Sequence, residues 1–178
     1  GPATEKLIKN DVSLKLLDKL SPSRLFNEFE HICAEETAIL CIRRLHELGI
    51  LQAIHPQLNI NPDRKEMLIR TAKVMAWYRL LYIDEEMRPW LVYFLVLCSS
   101  LTYAVTLEVF RRLGIPPALK NEVLGCREKA RSLRSSLKRL TATPGFRVSA
   151  LCAMLRPLPV EFVLYLMADM EVPETRRA

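Results

Sequence analysis

The chain has 178 residues, 50% hydrophobic and 26% charged, and its 26 basic and 20 acidic side chains leave a formal net charge of +6. That composition excludes a disordered chain, the length allows one substantial core or two small ones, and the positive balance favours an anionic partner. The longest apolar runs, such as Trp90 to Cys98, fall far short of the roughly 20 residues that span a bilayer, and Gly1-Pro2-Ala3-Thr4 has no signal-peptide character, so a cytoplasmic chain with no membrane contact is expected.

From Glu5 to Leu20 the apolar residues Leu7, Ile8, Val12, Leu14, Leu17 and Leu20 approximate a helical stripe, with an interruption near Asn10-Asp11. Ser21 then offers an N-cap hydroxyl and Pro22 occupies the first helical position, where a missing N–H costs nothing. The helix that starts there should bury Leu25, Phe26, Phe29, Ile32 and Cys33. Thr37 to Leu48 is the next, with Ile39, Ile42, Leu45 and Leu48 inward and Gly49 closing it. Ile50, Leu51 and Ile54 fold back before His55-Pro56. Asn61-Pro62 repeats the cap-plus-proline start, and Met67, Leu68, Thr71, Met75 and Tyr78 carry the pattern towards Tyr82.

A helix apolar on most sides follows from Pro89 to about Cys98 and should lie centrally. Thr102 to Leu113 ends at Gly114, Ala118 to Leu140 forms the longest charged helix, and Thr143-Pro144 starts a short one. The last helix begins near Pro159 and runs to about Met170, with residues 172–178 expected to fray. No period-2 alternation bounded by hairpin turns occurs, so the expected fold is all-α. The segment Leu58 to Pro62 is the best internal boundary, separating helical segments over 3–58 and 62–178 that could equally pack as one continuous unit.

The strongest anion-binding signal is Arg127, Arg131, Arg134 and Lys138, whose spacing makes one basic line along a helix beside the apolar stripe Ala130, Leu133, Leu137 and Leu140. Lys129 and Arg139 widen the charged rim. Such a line can follow RNA phosphates, giving position and affinity without base identity, or it can be an ordinary solvated face. Arg43-Arg44 and Arg111-Arg112 are further basic points, although Arg44 and Arg112 could pair locally with Glu47 and Glu108. The aromatic set Trp77, Tyr78, Tyr82, Trp90, Tyr93 and Phe94 reads as core, with base stacking in prospect if Tyr78 or Tyr82 were exposed.

Other chemistry is thin. The pairs Glu35-Glu36 and Glu85-Glu86 read as helix-end charges with no adjoining glycine loop, and Asp84 could cap the helix that follows. His31, His46 and His55 form no metal-ligand cluster, and His55 before Pro56 reads as a turn closure. The five cysteines, Cys33, Cys41, Cys98, Cys126 and Cys152, are scattered and mostly embedded in apolar helix patterns, and read as reduced core residues.

The run SPSRLFNEFE over Ser21 to Glu30, then Ile42-Arg43-Arg44-Leu45-His46-Glu47-Leu48-Gly49-Ile50-Leu51 and Ile54-His55-Pro56, resembles the region after the catalytic head of bacterial tRNA nucleotidyltransferases and the related poly(A) polymerases. The likeness continues through Trp90 to Leu95, Arg111 to Pro116, Leu155 to Pro159 and Leu164 to Ala168, so it covers nearly the whole chain. Pro22-Ser23 departs from the family pattern, where Gly-Glu often precedes the arginine.

The resemblance implies a helical, RNA-binding body and tail that positions an RNA 3′ end, with tRNA as the expected RNA, for ATP-dependent nucleotide addition by a head domain in cis. No Gly-Ser nucleotide loop with a paired-Asp strand is present here, nor a Glu-Asp-x-x-Arg selection segment. The chain alone is therefore expected to bind no cofactor, with ATP and Mg belonging to the missing head, and to be inactive by itself. Whether the whole enzyme adds CCA, CC, A or poly(A) is left open. The competing reading is a non-catalytic helical protein-interaction domain.

Overall fold

A computed structural model of the chain describes residues 1–14, 16–83, 86–145 and 147–170; the readings made above for Asp84, Glu85 and residues 172–178 lie outside them. All regular structure among the described residues is helical, with no strand. The order is α1 (Pro2–Ser13), a 3-10 turn (Leu16–Lys19), α2 (Pro22–Ala34), α3 (Ala38–Glu47), α4 (Ile50–Ile54), α5 (Pro62–Arg79), α6 (Pro89–Leu97), α7 (Tyr103–Leu113), α8 (Pro117–Ala142), α9 (Val148–Leu155) and α10 (Val160–Asp169).

Local chemistry accounts for most of these limits. The Ser21 and Asn61 side chains accept hydrogen bonds from the Arg24 and Arg64 amides, and Pro22 and Pro62 begin the helices they cap. Thr102 caps α7 in the same way through the Val105 amide. Gly114 ends α7 in the left-handed region at φ 63°, where an added Cβ would lie 2.7 Å from the Cβ of Pro22 and 3.2 Å from its carbonyl carbon. The closing turn of α7 is thereby pressed against the first turn of α2.

The core is built around α6. Every residue from Trp90 to Leu97 is buried, and α2, α5 and α10 pack against this helix. Each such Leu, Val or Phe contributes on the order of 1.5–3 kcal/mol by leaving water. On the α2 side Phe26 meets Trp90 edge-on with ring centroids 4.9 Å apart, and Phe94 stacks on Phe110 of α7 at 5.5 Å. The hydrophobic cluster is contiguous from Phe29 to Leu166.

Polar groups close the ends of α6. Just ahead of the helix, the Arg88 guanidinium donates to Glu161 of α10 at 2.7 Å and to Glu122 of α8 at 2.6 Å. The 3% exposed Glu161 also accepts from the Arg88 amide, so a carboxylate in the core has both a counter-charge and a backbone donor.

Three local expectations shift. The first stripe breaks at Leu14 and not at Asn10-Asp11, and no side chain described in Pro2 to Val12 is fully buried: Leu7 in α1 and Leu14 just past it face out. Thr143-Pro144 starts no helix. Proline forces the residue before it into extended geometry, so Thr143 (ψ 121°) ends α8, Gly145 turns the chain at φ 73°, and α9 begins only at Val148. Of the aromatic set, Tyr78, Trp90, Tyr93 and Phe94 are buried, whereas Trp77, beside Tyr78 but on another face of α5, is 47% exposed, and Tyr82, past the end of α5 at Arg79, is 89% exposed.

Gly114→Ala combines a left-handed backbone with a backbone clash, and it should lower unfolding free energy by about 1–3 kcal/mol or more in urea denaturation. An unchanged midpoint would show that the α7–α2 contact relaxes freely.

Candidate nucleic-acid interface

On α8 the positions 127, 131, 134 and 138 lie along one flank, about a quarter-turn from the stripe that carries the buried Ala130 and Leu137. The flank meets different surroundings along its length. Near its start α8 packs closely on the body, with Val123 and Cys126 buried. There Arg127 turns inward, donating to the Cys98 carbonyl at 2.8 Å, the Leu101 carbonyl at 2.6 Å and the Thr106 hydroxyl at 2.5 Å. It supplies donors to carbonyls of the segment that leaves α6, where the Cys98 carbonyl also accepts from the Leu101 amide at 3.1 Å. Burial lowers its pKa from the ordinary arginine value, with Arg131 adding in the same direction.

Farther along, the flank opens onto a cleft. Arg134 and Lys138 line a cavity of about 770 Å³ whose other walls come from the first turns of α5, Ser99 and Ser100 after α6, and the end of α10. Arg134 is paired with Asp169 at 2.9 Å, its guanidinium side chain still 47% exposed. Arg131 is exposed beside it. Lys129 and Arg139 are exposed on other faces of α8, and Arg43 is exposed on α3. Arg44 is drawn into an internal cluster, 2.5 Å from Glu5 of α1 and 2.9 Å from Glu47. The structure thus brings Arg134 and Lys138 together with the cleft, leaves Arg131 on the adjoining surface, and ties Arg127 and Arg44 to other parts of the fold.

Two cleft residues were not singled out above. Arg70 donates its Nε–H to the Ala168 carbonyl at 2.8 Å in the last turn of α10 and lies 3.8 Å from Glu66. Arg64 is only 4% exposed and donates to uncharged oxygens alone: the Gln57 and Asn59 carbonyls, the Asn59 amide oxygen and the Ser100 hydroxyl. Desolvation lowers its pKa. Its position was readable, since Arg64 shares the stripe of Met67, Leu68, Thr71 and Met75, where the helical period assigns a buried side chain.

The remaining candidates take structural roles. His55 accepts from the Gln57 amide at 3.2 Å, closing its turn, and its Nε2 lies 3.0 Å from Glu108. Arg112 accordingly pairs away from Glu108, donating to the Leu17 carbonyl and lying 3.6 Å from Asp18. Glu35 and Glu36 are exposed at the end of α2. Among the described residues no three His, Cys, Asp or Glu side chains converge as a metal site; of the cysteines expected in the core, Cys33, Cys98 and Cys126 are buried, Cys41 is half-buried and Cys152 is exposed on α9. No described helix is long and apolar enough to cross a membrane.

Comparison with known proteins gives this geometry a context. Residues 1–61 match a family described as "Probable RNA and SrmB-binding site of polymerase A". The chain is 35% identical over 175 residues to the A-adding tRNA nucleotidyltransferase of Geobacter sulfurreducens and 27% identical over 172 residues to that of Aquifex aeolicus. These alignments cover 98% and 97% of this chain but 20% of each relative, so the chain spans about a fifth of their length. Among solved structures, a tRNA-processing enzyme complex superposes with a TM-score of 0.76 at 25% identity, covering 94% of this chain and 44% of the other. The Thermotoga maritima CCA-adding enzyme complexed with tRNA shares the fold at a TM-score of 0.74 and 20% identity, covering 94% and 39%.

Two outcomes follow from the arginine assignments. Arg127→Gln removes donors from the Cys98 and Leu101 carbonyls and the Thr106 hydroxyl and should cost about 1–3 kcal/mol in urea denaturation, whereas the exposed Arg131→Gln should stay within about 0.5 kcal/mol of wild type; equal effects would contradict the inward role of Arg127. Lys9 and Arg44 hold the Glu5 carboxyl down to about 2 from its ordinary 4.5. A depressed carboxylate contributes stability above its unfolded pKa and loses it as pH falls towards the folded one. Protection of α1 amides from hydrogen exchange, taken relative to the intrinsic exchange rate at each pH, should therefore fall between about pH 4.5 and pH 2, and Glu5→Gln should flatten that fall. Wild-type protection that stays constant across this window would refute the pairing.

Proposed function

Because this chain is homologous to the helical body and tail of tRNA nucleotidyltransferases and CCA-adding enzymes, of which it covers only a part, we propose that it holds RNA, with tRNA as the substrate class, so that a 3′ end is presented to a catalytic head in the same protein. The observation that carries the reading is the row Arg131, Arg134 and Lys138, set on the flank of α8 where it opens onto the cleft. Cations on a rigid helix can follow a phosphate backbone without reading bases, as a protein that accepts many tRNAs requires. Lys129, Arg139 and Arg43 are further exposed cations, on other faces of α8 and on α3, and Arg127 serves the row by fixing α8 to the segment after α6.

Positioning is a contribution to catalysis in its own right. Holding a 3′-hydroxyl in register with an activated nucleotide converts a bimolecular encounter into an intramolecular one, and binding energy far from the reacting atoms supplies the orientation. ATP and Mg belong, in this reading, to the head. Which nucleotides that head adds is decided by residues outside this chain.

A second reading, docking to another protein, is favoured by one corner: Leu80, Leu81 and Ile83 are exposed together with Trp77 and Tyr82 at the end of α5. Replacing Arg131, Arg134 and Lys138 with glutamine separates the two. Under the RNA reading, the folded triple variant binds a tRNA minihelix more weakly and its logarithmic salt slope falls by about 1 for each phosphate contact removed. Minihelices of different sequence should weaken in the same proportion. An unchanged affinity and slope in the folded variant would remove this row as the RNA platform; no measurable RNA binding by the wild type would leave the protein-docking reading.

A further inference from the structure

The cleft contains an electrostatic feature that the basic row does not explain. Arg64 is a buried cation without an ion-pair partner: among the described residues its hydrogen bonds go only to neutral oxygens, and its Nε–H, also buried, has no partner at all. A guanidinium taken out of water is costly unless an anion compensates it. The carboxylates on the same walls do not. Glu66 faces Arg70, Asp169 faces Arg134, and neither they nor Asp63 forms an ion pair with Arg64. The positive end of the α5 dipole adds to the imbalance, since Asn61 and Asp63, at the start of that 18-residue helix, border the cavity.

We propose that the cleft between α5, α8 and α10 seats one phosphate of an RNA backbone, with Arg64 as its inner cation and Arg134 and Lys138 as its outer ones. The inference rests on the RNA-holding reading and adds to it a fixed point: where the exposed row tracks the backbone loosely, the cleft registers a single phosphodiester. Ser99 and Ser100 supply hydroxyls beside Arg64, and about 770 Å³ is ample for a phosphate with part of its sugar. Arg134, 47% exposed, meets the phosphate with its remaining guanidinium donors while Asp169, 13% exposed, keeps its ion pair. A guanidinium holds a phosphate at two points, giving the site a defined orientation as well as charge.

The arginine Nε–H signals of the full chain, followed by NMR, test this directly, with the Arg64 signal assigned through its own backbone amide. A short RNA hairpin should shift that signal in step with binding, and inorganic phosphate should shift it at higher concentration. Ser100→Asp, at an exposed position, places a carboxylate beside Arg64. This variant should be at least as stable to heat as the wild type, bind the hairpin about tenfold more weakly and show a shallower salt slope.

An Arg64 signal that stays put while RNA saturates the α8 residues would overturn the cleft and leave the RNA-holding reading intact. So would a shift produced by inorganic phosphate but not by RNA, or a folded Ser100→Asp protein that binds RNA as the wild type does. RNA that binds nowhere would overturn both.

Discussion

The structure depends on α6 being surrounded. A nine-residue helix whose side chains from Trp90 to Leu97 are all buried has no face to offer water, so other helices must cover it on every side. Coverage is supplied by α2, α5 and α10, with Phe110 of α7 closing over Phe94. The helix makes its own backbone hydrogen bonds, but its ends need outside partners. At the start the Glu161 carboxylate, held by the Arg88 guanidinium, accepts from the Arg88 amide, and just past the end Arg127 donates to the Cys98 and Leu101 carbonyls.

Both closures involve α8, which explains how a long and largely charged helix is held to a hydrophobic body. Glu122 and Arg127 fasten its first half, and the second half then runs past the body with a basic flank opening onto the cleft. Charge on this helix therefore divides by position: in the first half Glu122 and Arg127 meet ion-pair and backbone partners, and in the second Arg134, paired with Asp169, and Lys138 line the cleft. A rigidly anchored row is better suited to orienting a long polyanion than a mobile basic tail would be, because less conformational freedom is lost on binding.

Arginine has three uses in this fold, and the surroundings of each side chain decide which applies. Arg88 and Arg44 join helices through carboxylates; Arg127, Arg70 and Arg112 donate to main-chain carbonyls of elements distant in sequence. Arg64 bonds the loop that precedes its own helix and still faces the cleft. The net charge of +6 therefore overstates the charge available to a partner, since several of the cations that make it up are already committed inside the protein.

The sequence by itself determined the helical class, the starts at Ser21-Pro22 and Asn61-Pro62, the stops at Gly49 and Gly114, and the central place of the Pro89 helix, together with its family likeness. Each of these depends on near neighbours in the chain: a cap acts across three residues, a left-handed glycine acts at one, and the burial of an all-apolar helix follows from its own composition. The roles of Arg127, Arg134 and Lys138, alike in spacing, were decided only by the tertiary structure, because one α8 flank meets the end of α6 at one level and an open cleft two turns later. The outward placement of Trp77 and Tyr82 was likewise a matter of packing, since hydrophobicity favours burial but cannot supply a neighbour on a face that no other element covers. Arg64 lies between the two cases: its burial was legible in the helical period, whereas its lack of a counter-ion depended on which oxygens the loop before α5 and the end of α6 brought to it.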